Sequence, residues 1–198
     1  GANLRSMPDF NDSSSLGIKS GGYVLTVGRF IVEREFHTLI GAFSEIGTEM
    51  KLVIAGDERF EGEYARRLRE IADPRVIFPG YVSGGKLDEL YAHCRFYVLP
   101  SLVEGLPISL IEAMSFSRPV LISDIPENLE VAGGIARTFA VGDRSDLARA
   151  LKEMMELGED EITAMGRKGL DRVAGEYDWD RITESTESLY LDLTAEIR

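Results

Sequence analysis

The sequence predicts an α/β fold, a doubly wound, Rossmann-like parallel sheet of about six strands with helices on both faces. Short, continuous apolar runs alternate with amphipathic segments of helical period. Continuous apolar runs are typical of parallel strands that are covered on both faces. Turn residues separate the segments at Gly56-Asp57, Asp73-Pro74 and Pro79-Gly80.

The elements follow in order along the chain. Strands are predicted at 23–28, 51–55, 75–78, 95–99, 119–122 and 136–140. Helices are predicted at 35–46, 60–72, 84–93, 107–116, 126–132, 143–157, 159–175 and 179–197. The last helix carries Trp179, Leu189, Tyr190 and Leu193, and we expect it to pack on its own domain. Ligands of such sheets bind at the carboxyl ends of the strands, so the turns after Gly28, Ala55, Phe78, Leu99 and Ile122 are expected to form the site.

Residues 1–20 are rich in Asn, Asp, Ser and Gly, which predicts a linker or interdomain arm before one domain at 21–198. No stretch of 18 apolar residues is present, so we expect no transmembrane helix. The single cysteine, Cys94, excludes an internal disulfide, and it is predicted to be a buried small hydrophobe. A cytoplasmic location is therefore expected, and peripheral attachment of a longer parent protein at the inner membrane face stays open as a hypothesis.

The net charge is −12, from 34 acidic and 22 basic residues. This balance argues against nucleic acid or an anionic membrane as the main partner of this chain. An anionic ligand would need a local concentration of basic side chains. With only His37, His93 and Cys94 as soft ligands, we expect no metal site.

Residues 100–124 combine an apolar strand, a glycine turn, a helix start and two carboxylates. Pro107 suits the first helical position, so Glu104 is predicted on the loop before the helix and Glu112 on its second turn. Free N–H groups at the helix start can receive a diphosphate, and carboxylates can accept hydroxyls, as a nucleotide-sugar requires. Alternatively, both carboxylates are ordinary surface charges. An acid–base pair of a hydrolase is disfavoured by the adjoining phosphate cradle.

The first strand ends in a turn with two arginines. Gly28 permits a tight turn, and Arg29 and Arg34 follow where an anion would lie, so they are candidates to bind a diphosphate bidentately. The alternative is two solvated charges, with Arg34 paired to Glu33 or Glu35. The turn has no second or third glycine after Gly28, so the glycine pattern of a dinucleotide-binding fold is absent.

Other turns carry weaker signals. Gly80–Leu87 nearly matches a phosphate-binding loop, but Leu87 stands where a hydroxyl should meet magnesium, which disfavours an NTPase. The alternative is a strand–helix turn with Ser83 as N-cap and backbone groups offered to a base. Asp57 and Asp124 end strands and either contact a ligand or cap a helix. Three tyrosines are predicted to lie in the core or at its rim: Tyr81, Tyr91 and Tyr97.

Together these segments resemble the carboxyl-terminal half of retaining glycosyltransferases of the GT-B fold, specifically glycosyltransferase family 4, also called group 1. The resemblance covers about residues 23–190. The segments that carry it are Val27-Gly28-Arg29, Leu52-Val53-Ile54-Ala55-Gly56-Asp57, Phe78-Pro79-Gly80-Tyr81-Val82, and the run from Pro100 to Met114, which contains the two glutamates of the family's signature.

The resemblance implies a role for each matching residue. Arg29 and Arg34 would bind the donor diphosphate beside Gly28, although lysine is usual at the second position. Glu104 would hold hydroxyls of the donor sugar near the reacting carbon, and Glu112 would bind the ribose hydroxyls. Backbone groups near Val82 would meet the base. The leaving phosphates would be partly neutralised by three backbone N–H groups, those of Gly105, Leu106 and Ile108.

Two further departures from the family pattern stand at positions where glycine is common. Glu35 places a negative charge beside the two arginines. Ser117 stands at the end of the signature helix. If left-handed backbone angles are needed there, a residue other than glycine costs roughly 1 kcal/mol.

The resemblance further implies that an amino-terminal domain carrying the acceptor site is missing, and Gly1-Ala2-Asn3 resembles the end of the run that precedes this half. The chain would then be the donor half of a metal-independent, cofactor-free hexosyltransferase acting on a glycan, lipid or small molecule, and inactive alone. A sugar-nucleotide epimerase, a phosphorylase and a non-catalytic nucleotide-binding or scaffold domain stay open as alternatives. A phosphorylase would need a pyridoxal phosphate lysine, for which no lysine has a convincing context.

Overall fold

The structure, a computed structural model, describes residues 1, 4, 6–56 and 62–196, with the side chains of 12, 14, 195 and 196 excepted. Within these ranges, one sheet consists of β1 Tyr23–Val27, β2 Lys51–Ala55, β3 Val76–Ile77, β4 Phe96–Leu99, β5 Val120–Ser123 and β6 Arg137–Phe139. The strand order is β3-β2-β1-β4-β5-β6, and every neighbouring pair is parallel. The predicted doubly wound parallel sheet is confirmed, and its order reverses between β1 and β4, where such sheets bind ligands.

The predicted helices are all present, and within the described residues their ends differ from the prediction by up to two residues; the predicted helical residues 60, 61 and 197 lie outside the described residues. They are α1 Phe36–Ser44, α2 Glu63–Ile71, α3 Gly85–His93, α4 Ile108–Ser115, α5 Pro126–Ala132, α6 Arg144–Glu156, α7 Glu159–Glu176 and α8 Trp179–Glu196. Two short 3₁₀ turns, Asp12–Leu16 and Val32–Arg34, were not predicted. None of the helices in the described ranges is long and apolar enough to cross a membrane.

The core lies in two layers, one on each face of the sheet. Along β1, Tyr23 and Leu25 belong to one layer and Val24 to the other, because successive strand side chains point to opposite faces. Residues of α3, α4, α5 and α7 cover the first layer, and residues of α1, α2 and α6 cover the second. Cys94 is fully buried in the first layer, as predicted.

At two helix starts the capping residues differ from the prediction. Pro107 is the N-cap of α4 rather than its first residue, and its carbonyl accepts from the N–H groups of Leu110 and Ile111. The N-cap of α3 is Gly84, not Ser83. Gly84 has φ 60°, which glycine adopts without steric cost, and it has no side chain with which to cap the helix.

The two ends of the chain depart from expectation in opposite directions. The predicted arm is anchored in part, because Glu89 of α3 accepts hydrogen bonds from the N–H groups of Asn11 (2.8 Å) and Ser13 (2.9 Å). The domain boundary at residue 20 stays a prediction. The expected packing of α8 is wrong for Trp179, Leu189, Tyr190 and Leu193, whose side chains are exposed, as is that of Leu191. The strands are already buried by other helices.

Candidate functional site

The turns at the carboxyl ends of the strands are joined by backbone hydrogen bonds. The N–H of Gly28 donates to the carbonyl of Ala55 (3.0 Å), and that of Gly56 donates to Gly80 (3.1 Å). A Cβ at Gly56 would collide with the carbonyl of Gly28 and the ring of Phe30, so this close approach requires glycine. The turns after β1, β2 and β3 therefore form one continuous rim.

The loop after β4 is fastened to the same rim. The N–H of Leu102 donates to the carbonyl of Glu33 in the 3₁₀ turn (2.9 Å). From the other side, the hydroxyl of Ser123 at the end of β5 donates to the carbonyl of Ser101 (2.6 Å). These bonds hold the loop that carries Glu104 against the turn that carries Arg34.

Arg34 and Glu104 form an ion pair at the centre of this rim. The guanidinium Nη1 of Arg34 bonds to Oε1 of Glu104, and Ser101 donates its hydroxyl to the same oxygen (2.7 Å). The Glu104 side chain is only 5% exposed, so water screens the pair poorly. The alternative pairing of Arg34 with Glu33 or Glu35 is wrong. The structure brings together two of the predicted site residues from separate turns.

Gly28 leaves room beside this pair. A Cβ there would lie 3.6 Å from the Cδ and Nε atoms of Arg34 and 3.4 Å from the ring of Phe36. Arg29 follows directly and is exposed, with no side-chain hydrogen bond or ion pair to any described residue. The rim thus carries one arginine engaged by a carboxylate and one that faces solvent.

The start of α4 adds backbone donors. None of the N–H groups of Gly105, Leu106 and Ile108 makes a hydrogen bond within the described ranges. The side chains of Leu106 and Ile108 are exposed. These amides stand at the positive end of the helix, where an anion is favoured. The phosphate cradle at these amides stays a prediction.

Glu112 lies one turn further into α4 and accepts a hydrogen bond from a buried tyrosine. The hydroxyl of Tyr91 donates to its Oε2 (3.1 Å), and the neighbouring Tyr97 donates to Ser109 Oγ (2.8 Å). Both tyrosines are buried, as predicted, and burial raises the pKa of each hydroxyl well above its ordinary value. Sequence reasoning missed these contacts, although the spacing of Ser109 and Glu112 already places them on one helix face.

The remaining candidates have more ordinary surroundings. Val82 is half-buried against the core, and the neighbouring Tyr81 is exposed at the rim. Asp124 does not cap a helix, because its Oδ1 accepts from the N–H of Val141 in the turn after β6 (2.8 Å). Asp57 lies outside the described residues. In the described part of the chain, no group of three or more His, Cys, Asp or Glu side chains is arranged to hold a metal ion.

The sequence profile of the family described as "Glycosyl transferases group 1" matches residues 21–157. One curated relative, O-antigen chain mannosyltransferase B of Escherichia coli, is 27% identical over 179 residues, which is 85% of this chain and 45% of the relative. The chain spans about half the length of the curated relatives it matches.

Solved structures share the fold. Sucrose-phosphate synthase from Thermosynechococcus elongatus superposes with a TM-score of 0.83 at 22% identity, covering 99% of this chain and 52% of that one. Anabaena Alr3699/HepE in complex with UDP-glucose gives a TM-score of 0.80 at 21% identity, covering 90% and 51%. The fold is therefore that of one half of the GT-B glycosyltransferases.

Proposed function

Because the chain belongs to the group 1 glycosyltransferases, we propose that it binds the nucleotide-sugar donor and forms the donor half of a retaining, family 4 hexosyltransferase. One observation carries the proposal: the Arg34–Glu104 pair, the exposed Arg29 and the open amides of α4 share one rim of the sheet. That combination suits a ligand with both phosphates and hydroxyls.

The proposed chemistry is stabilisation of the leaving group. As the bond between the sugar and the phosphate breaks, negative charge grows on the diphosphate. Arg29, Arg34 and the amides at the start of α4 oppose that charge with groups already in place. No step in this account requires a metal ion or a cofactor.

In this proposal Arg34 and Glu104 each bind a part of the donor while they stay paired with each other. A guanidinium has five N–H donors, so Arg34 can keep its bond to Glu104 while other donors reach a phosphate. The carboxylate of Glu104 likewise keeps acceptor sites for sugar hydroxyls near the reacting carbon. Arg34 therefore orients the carboxylate and contacts the leaving group at once.

The remaining ligand contacts follow along the rim. Glu112 binds the ribose hydroxyls, and backbone groups near Val82 meet the base. A hexosyl donor is supported by the mannosyltransferase relative and by the UDP-glucose complex of the structural relative. The proposed acceptor site lies in the part of the relatives that this chain does not cover. Without it no acceptor is positioned and water is not excluded, so the isolated chain transfers no sugar.

Calorimetric titration of the chain with UDP, GDP and ADP, with and without magnesium, tests the proposal. We expect one diphosphate to bind without the metal, and Arg29→Ala to weaken that binding about tenfold. Arg137→Ala is the matched control, because Arg137 is an exposed arginine at the first position of β6, at the opposite edge of the sheet. Failure of all three nucleotides to bind, or unchanged binding by Arg29→Ala, would contradict the proposal.

A further inference from the structure

Tyr91 is held so firmly that its hydroxyl can point in only one direction. The residue lies in α3, and 1% of its surface is exposed. Its ring stacks on Phe116 with an interplanar angle of 9° and contacts the tilted ring of Tyr97 at 5.8 Å between centroids. Phenylalanine could make the same ring contacts, so the role of the hydroxyl has to be sought in its hydrogen bond.

That hydroxyl reaches a carboxylate of the proposed donor site. It donates to Oε2 of Glu112 at 3.1 Å. Glu112 is partly exposed, so its carboxylate connects the buried tyrosine with the solvent side of α4. A glutamate on a helix surface otherwise moves among several rotamers, and a hydrogen bond from a rigid donor selects one of them.

We propose that Tyr91 is a positioning residue that fixes the carboxylate of Glu112 for the ribose hydroxyls of the donor, and thereby sets the preference for ribose over deoxyribose. The inference rests on the proposed function, since it assumes that Glu112 faces the ribose. A carboxylate has about four acceptor sites, and the hydrogen bond from Tyr91 takes one of them.

The protonation state of Tyr91 agrees with this role. Burial is the main reason why the pKa of Tyr91 is raised well above its ordinary value, and the charge of Glu112 raises it further. Tyr91 therefore remains a hydrogen-bond donor throughout the pH range in which the protein is handled. The carboxylate of Glu112 therefore keeps its hydrogen bond from Tyr91 across that range.

Tyr91→Phe tests the inference, with Tyr23→Phe as the matched control. Tyr23 is also fully buried, and its hydroxyl donates to the carbonyl of Leu90 (2.8 Å) rather than to a site residue. Each variant is titrated with whichever of UDP, GDP and ADP the wild-type chain binds, and with the 2′-deoxy and 3′-deoxy forms of that nucleotide. Circular dichroism and thermal unfolding of both variants verify that they are folded.

We expect Tyr91→Phe to weaken ribonucleotide binding roughly fivefold, and to weaken binding of each deoxy form less, because a deoxy form keeps only one of the two hydroxyls that Glu112 accepts. Tyr23→Phe should keep the wild-type preference for ribose. In a Glu112→Gln background, Tyr91→Phe should have little further effect on that preference, because the two residues act as one unit.

The outcomes separate the two proposals. If the wild-type chain binds none of the three nucleotides, the proposed function fails and this inference fails with it. If the wild type binds and prefers ribose but Tyr91→Phe keeps the full preference, only the positioning role of Tyr91 is overturned. A Tyr91→Phe effect that persists undiminished in the Glu112→Gln background would also overturn it.

Discussion

Among the residues that the structure describes, two other than glycine adopt left-handed backbone angles, Glu35 with φ 53° and Ser117 with φ 57°. The sequence had marked both as positions where glycine is common. The carboxylate of Glu35 accepts a hydrogen bond from the hydroxyl of Thr38 and lies 3.5 Å from Nε2 of His37. Ser117 makes no comparable side-chain hydrogen bond within the described ranges. Glu35 therefore has local compensation for its strain, and Ser117 has none.

We predict that Ser117→Gly stabilises the chain by about 0.5–1 kcal/mol, because glycine adopts the left-handed angles without a Cβ penalty. Urea unfolding followed by circular dichroism measures the change. Ser145→Gly, the same exchange at a helical position of α6, is the control and should destabilise the chain. A lower stability for Ser117→Gly would show that the hydroxyl contributes more than the strain costs.

At the scale of elements, the helix that bears the site is supported by close packing of α7 on α4. A Cβ on Gly166 of α7 would collide with the backbone carbonyl of Ser117, just beyond the end of α4. Gly169 packs next to Met114, also of α4. Glycines on this face of α7 therefore let the two helices approach, and the approach fixes how α4 presents its first turns to the rim.

Gly166→Ala should accordingly destabilise the chain by about 1–3 kcal/mol, since backbone atoms must shift to admit the methyl group. Gly175→Ala is a matched control in the same helix, because its added Cβ meets nothing within 4 Å. The control should be neutral or stabilising, by at most about 1 kcal/mol. Equal thermal shifts for the two variants would refute the packing argument.

A second element-scale contact joins α1 to the turn before β3. Arg75 donates to the carbonyls of Ile46 (2.6 Å) and Thr48 (3.1 Å) after α1, and to the carboxylate of Asp73 (2.6 Å). The side-chain hydrogen bond from Arg75 is the main reason why the pKa of Asp73 lies below its ordinary value. One ion pair therefore both orients the arginine and makes the stability of the fold dependent on pH.

The sign of that dependence follows from the lowered pKa. The stabilisation by Asp73 is complete above the unfolded pKa of about 3.9 and is lost as pH falls through the lower folded value. The Asp73→Asn variant should therefore have a lower free energy of unfolding than the wild type at pH 7. The difference between the two free energies should narrow as the pH is lowered below 4. Urea unfolding at a series of pH values measures it, with Asp171→Asn, at an exposed position of α7, as control. A gap that stays constant with pH would contradict the linkage.

At the scale of the whole molecule, the elements could be predicted because each depends on nearby residues. Continuous apolar runs identified the strands, and the segment from Pro100 to Met114 identified a helix start with two carboxylates. Contacts between distant segments could not be predicted. Arg34 and Glu104 are 70 residues apart in the chain, and only the strand order brings their turns together. The exposure of α8 depends likewise on which surfaces other helices already cover.

The same strand order places every proposed donor contact on one edge of the sheet. A crystal structure of the chain with the nucleoside diphosphate that it binds tests this claim most directly. The account predicts the diphosphate between Arg29, Arg34 and the amides at the start of α4, with the ribose hydroxyls on Glu112. A diphosphate bound anywhere else on the molecule, or one held there with its ribose turned away from Glu112, would contradict it.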